Sequence, residues 1–113
     1  MLHKPGTDYA LELAIDPEAV IEPGGMVTGE IRVEAARIDT IKTGGRYIEP
    51  LAGPPRRVAG RVIEPDPHAN VIVVDAGPFP VVCTPSHPQR SKDFEHGQLV
   101  TMGVRPGAVF VPV

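Results

Sequence analysis

Proline and glycine limit what this chain can become. Fourteen prolines and twelve glycines are spread along 113 residues. Each proline removes a backbone donor and clashes with the preceding turn of a helix. Little room is left for a long amphipathic helix, so the apolar residues have to be organised as strands. Three runs rich in Val or Ile stand out, at 58–63, 71–74 and 79–83, cut apart by turn formers at 64–70 and 75–78. They read as a meander. The run 71–74 is apolar at every position, as in a strand covered on both faces or set deep in a barrel wall.

Two further strands are visible as strict alternation. In 9–16, Tyr9, Leu11, Leu13 and Ile15 fall on one side and Ala10, Glu12, Ala14 and Asp16 on the other. In 26–35, Val27, Gly29, Ile31, Val33 and Ala35 point inward, opposite Thr28, Glu30, Arg32 and Glu34. The two are expected to pair as antiparallel neighbours across a short acidic connection. Asp16-Pro17 places an N-cap before a first-turn proline, so one helical turn is expected there. Segments 38–55 and 84–97 read as two long loops, functional or mobile. Segments 99–104 and 108–113 read as a final hairpin turning at Arg105-Pro106-Gly107, with the last strand either paired within the barrel or presented as an edge to a second subunit. Ile-Glu-Pro occurs at 21–23, 48–50 and 63–65, and proline forces its predecessor into the β region, so the tripeptide is read as a strand terminator.

The chain fits one domain, 1–113, large enough for a single core. The expected fold is all-β with little helix: about six to eight short strands in a small closed or partly open OB-like barrel, or a compact sandwich. A single cysteine excludes an internal disulfide and fits a reducing compartment. The first residues lack the apolar run of a signal peptide and no stretch approaches a membrane span, so the cytoplasm is the expected location and no membrane partner is expected.

Charge is unevenly distributed. Residues 1–31 hold six acids against Lys4, whereas 32–61 hold seven bases against Glu34, Asp39 and Glu49. Within that basic middle, Lys42, Gly44, Gly45, Arg46 and Tyr47 form a candidate anion-binding loop, because two glycines can turn amides toward an anion with a cation on either side and an aromatic ring beside it. Arg56, Arg57 and Arg61 add to it where they share a face, and alternation puts Arg57 and Arg61 together, opposite Arg56. Neither a Walker A nor a dinucleotide spacing is present.

A second candidate constellation is Cys83, His87 and His96, a thiol and two imidazoles that could hold a metal with His68, a carboxylate or water as the fourth ligand. Its spacing matches no zinc signature. Ser86-His87, or Cys83 with His87, supplies the residue types of a nucleophile and base without a nucleophile-elbow pattern. Asp66, between two prolines, reads as a turn residue whose carboxylate accepts local amides. The expected role is therefore non-catalytic and without a cofactor: a small barrel serving as a binding or assembly module for protein partners or copies of itself. The alternatives are binding of nucleic acid or another polyanion through the 42–61 segment, and a metal-binding protein using Cys83, His87 and His96.

Overall fold

The computed structural model describes residues 2–3, 10–11, 14–15, 29–50, 52–77 and 79–112, with side chains at 30–50, 53–77 and 79–111. The strands are β1 (Leu2–His3), β2 (Ala10–Leu11), β3 (Ala14–Ile15), β4 (Gly29–Ile41), β5 (Tyr47–Glu49), β6 (Ala52–Gly53), β7 (Arg57–Asp66), β8 (Val71–Asp75), β9 (Pro80–Thr84), β10 (Leu99–Val104) and β11 (Val109–Pro112). One 3-10 turn, Ser91–Asp93, lies between β9 and β10. No helix among the described residues is long and apolar enough to cross a membrane.

Five strands close into a barrel in the order β4, β10, β7, β8, β9 and back to β4. Every contact in that ring is antiparallel except the one between β4 and β9, which is parallel. The expected meander is there: β7, β8 and β9 pair in succession. Its inward side chains, Val58 and Val62, Ile72 and Val74, Val81 and Cys83, are all fully buried. They meet Ile31, Val33, Ala35 and Ile38 of β4 and Val100 and Met102 of β10, with Ile48, Phe94 and Phe110 completing the core. Burying a side chain of this size stabilises by about 1.5–3 kcal/mol. Of the run 71–74, only Ile72 and Val74 face the core; Val71 and Val73 are half-buried outside, which makes β8 a barrel-wall strand.

Strand β4 is longer than alternation suggested. Its register with β10 steps from Ala35 opposite Val104 to Arg37 opposite Gly103, leaving Ala36 as the extra residue of a bulge. The bulge reverses the parity, so Ile38 points inward where strict alternation from Ala35 would point it out. A period-2 reading stops at that slip, which is why 38–41 read as loop. The bend it introduces lets one strand serve β9 and β11 with its first half and β10 with its second.

Four expectations are corrected. The pieces 10–11 and 14–15 pair with β1 and β6 and with β11, not with β4. The end of the chain is not a hairpin: β10 and β11 run in the same direction along one edge of β4, opposite 35–41 and 29–32 in turn. Arg105 N donates to Glu34 O at 2.8 Å across the break, so 105–108 interrupts a strand instead of reversing it. The other edge of β11 is not free either, since Val109 and Phe110 pair with Ala14 and Ile15 of β3. Finally, Ile-Glu-Pro ends β5 at Glu49 but lies within β7 at 63–65. There β7 has passed beyond β10, whose register ends at Arg61, so the missing proline donor falls on an edge. The first Ile-Glu-Pro and the helical turn expected at 16–19 lie outside the described residues.

Candidate polyanion-binding face

The outer surface of β4, β10, β7 and β5 is built in rows set by strand register. In one row, Gly103 of β10 lies opposite Arg37 on one neighbour and Arg57 on the other, and Arg57 faces Glu49 of β5. In the next, Thr101 lies between Asp39 and Ala59, and Ala59 faces Tyr47 of β5. In the third, Leu99 lies between Ile41 and Arg61, and Arg61 faces Asp75 of β8. Neighbouring strands are about 4.8 Å apart, so Arg37 and Arg57 project from backbones about 10 Å apart. Among the described residues, a Cβ added at Gly103 would meet nothing within 4 Å; the backbone there is a floor between two arginines.

Each cation is held in a definite way. Arg57 donates to the hydroxyl of Thr101 at 2.7 Å, and Arg61 donates to the carbonyl of Gly97 at 2.8 Å. Arg46 pairs with Asp75 at 2.7 Å and Arg37 with Asp39 at 3.0 Å. Asp75 also accepts from the Gly77 N–H. That amide, the Arg46 guanidinium and the charge of Arg61 hold the Asp75 carboxyl below its ordinary range, against the opposing effect of burial. Both exposed ion pairs exchange readily with a stronger anion, because surface pairs of this kind contribute at most about 1 kcal/mol. Among the described residues, Lys42, Arg56, Arg57 and Arg61 have no carboxylate within ion-pair distance.

The sequence candidates are therefore partly brought together. Arg46, Tyr47, Arg57 and Arg61 lie on this face, with Lys42 just beyond the end of β4. Arg56 stands at the start of β7 with the parity of Val58, so it marks the barrel rim. Gly44 and Gly45 are exposed, but neither is in the left-handed region. An amide nest needs one residue there, so the glycine pair does not form one and the face is made by side chains. Arg37 was not among the sequence candidates. The bulge at Ala36 hid it: only the shifted register brings it into line with Gly103 and Arg57.

No family model, curated protein or solved structure matches this chain.

The candidate metal constellation is not assembled. Cys83 is fully buried inside the barrel, its thiol donating to the Val81 carbonyl at 3.7 Å and pushed strongly upward by burial. His87 is exposed, and His96 is exposed with Nδ1 against the Ile63 carbonyl. Among the described residues no group of three or more His, Cys, Asp or Glu side chains is arranged to hold a metal. His68 is an exposed turn residue whose N–H, with that of Ala69, bonds the Asp66 carboxylate at 3.0 and 3.2 Å, the turn role expected of Asp66. Ser86 donates to the Ala35 carbonyl at 2.6 Å, which ties its hydroxyl to the backbone instead of to an imidazole.

Proposed function

We propose that this barrel is a non-catalytic binding module whose β4-β10-β7-β5 face takes single-stranded nucleic acid. The reading rests on one observation: Arg37 and Arg57 both stand opposite Gly103, with Arg61, Arg46 and Tyr47 on the adjoining rows. Guanidinium groups neutralise backbone phosphates, a bare strand between them admits the chain, and an aromatic ring offers a stacking platform. The whole-chain charge of −3 does not oppose this, since association responds to the local potential of a surface. Self-association through the C-terminal strand has less support, because β3 occupies part of that edge.

The test is fluorescence anisotropy with a mixed-sequence single-stranded oligonucleotide at several salt concentrations. Affinity should fall steeply between about 50 and 200 mM salt. Arg57→Ala combined with Arg61→Ala should weaken binding and reduce the salt slope by about one for each phosphate contact removed. A wild-type protein that does not bind, or whose binding ignores both salt and the two substitutions, overturns the reading.

A further inference from the structure

A shallow surface cavity of about 260 Å³, widely open to solvent, adjoins this face and is lined by Ala36, Arg37, Ser86, His87, Pro88 and Gln89. It exists because of the β4 bulge. Two clamps bracket the bulge: Ser86 donates to the Ala35 carbonyl at 2.6 Å, and the Gln89 amide bonds both backbone groups of Ile38 at 2.8 and 2.7 Å. Segment 86–89 is thereby held against β4 on the side opposite β10, with Ala36 and Arg37 between the two clamps. The Ser86 hydroxyl and the Gln89 amide are engaged with the backbone of Ala35 and Ile38, and Ala36, Arg37, His87 and Pro88 complete the lining, with Arg37 exposed and paired with Asp39. Arg37 is the shared wall, standing at once in the cavity and in the row with Gly103 and Arg57.

We propose that this cavity is a base-binding subsite for one unpaired nucleobase of the strand held on the cationic face, an inference that rests on the polyanion reading. The volume lies below the roughly 300–1,000 Å³ of pockets that enclose drug-sized ligands, which suits a single planar ring system. Histidine rings and arginine guanidinium planes are among the groups on which proteins stack splayed-out bases, and His87 and Arg37 are both lining residues. Arg37 can contact the base with its plane or the adjoining phosphate with its N–H groups, so the subsite continues the path of the backbone across Gly103 to Arg57. A base must leave its stack to reach this position, so the subsite favours single strands over duplex.

The experiment compares three probes on the wild-type protein and two variants: a single-stranded oligonucleotide, an abasic oligonucleotide of equal length, and inorganic polyphosphate. His87→Ala removes a stacking ring, and Ala36→Leu fills the cavity from an exposed position. The wild type should bind the oligonucleotide about 5- to 100-fold more tightly than the abasic chain, the range expected of base stacking. Each variant should reduce that preference, leaving the part supplied by stacking on Tyr47, while binding the abasic chain and polyphosphate as before, with an unchanged melting temperature confirming the fold. Equal wild-type affinity for oligonucleotide and abasic chain overturns the subsite but leaves the cationic face standing. A variant that weakens all three probes alike also overturns it, and absence of binding to any probe overturns both readings.

Discussion

The side chain of Gln89 does the work of a strand for Ile38: its Oε1 accepts the Ile38 N–H at 2.8 Å and its Nε2 donates to the Ile38 carbonyl at 2.7 Å, from 51 residues away. Here β4 has turned away from β9, whose register ends at Glu34, so among the described residues no strand pairs with the backbone of Ile38 on that side. Its side chain is meanwhile buried in the core. Gln89→Ala leaves both backbone groups to be satisfied by water at a partly buried position. A loss of about 1–3 kcal/mol is expected in chemical denaturation. Gln89→Glu, which sets a carboxylate oxygen against the Ile38 carbonyl, should cost at least as much as Gln89→Ala at neutral pH.

Gly60 and Gly103 are both strand glycines, and they should respond in opposite ways. A Cβ at Gly60 would lie 2.1 Å from the Asp75 carbonyl oxygen and 2.9 Å from Val74, because β8 passes close to β7 where the barrel wall curves. Relief requires backbone movement, so Gly60→Ala should destabilise by about 3 kcal/mol or prevent folding. A Cβ at Gly103 meets none of the described residues within 4 Å; Gly103→Ala should be neutral or stabilising by about 0.5 kcal/mol. Gly103→Leu should keep the melting temperature while weakening oligonucleotide binding, since it raises a side chain between Arg37 and Arg57.

Asp75 couples the stability of the barrel to pH. Its carboxyl is held below the ordinary value of 3.8, first by the Gly77 amide and then by Arg46 and Arg61. A depressed folded-state value means that this contribution is fully present above about pH 4 and is lost as pH falls through the folded-state value. Asp75→Asn should flatten the pH dependence of stability below pH 4, measured by denaturant titration at a series of pH values. The same substitution removes the countercharge from Arg46 and Arg61. At low salt and neutral pH it should raise oligonucleotide affinity by up to about fivefold, an increase that vanishes at high salt.

Burial makes Cys83 a packing residue. Its thiol is enclosed and strongly disfavours ionisation, and the thiolate is the reactive form. Thiol reagents should label the native protein no faster than it unfolds, and the labelling rate should rise with denaturant in step with unfolding. Cys83→Ser puts a hydroxyl in the barrel interior and should cost about 1–3 kcal/mol. A native-state labelling rate above the unfolding rate, from stopped-flow and mass spectrometry, overturns this placement.

The strand chemistry of this protein is written locally. Proline and glycine spacing excludes long helices, and runs of β-branched residues between turn formers mark β7, β8 and β9, because those preferences act within a few residues. Arg57 and Arg61 share a face for the same reason: alternation along one strand requires no knowledge of its neighbours. What alternation does not carry is pairing. The bulge at Ala36 breaks the period within β4, so 38–41 looks like loop and Arg37 looks unremarkable, although the register with β10 aligns it with Arg57 across Gly103. The C-terminal segments resemble a hairpin because Arg105-Pro106-Gly107 has turn composition, yet the long bent β4 offers two stretches of one edge and the chain runs along both. Cys83, His87 and His96 look like a ligand set in one dimension, and the inward parity of β9 separates them. Residue type and spacing by themselves determined an all-β chain with a basic middle; the closure of β4 on both β9 and β10 decided which cations stand together, because a barrel brings into register residues that lie far apart along the chain.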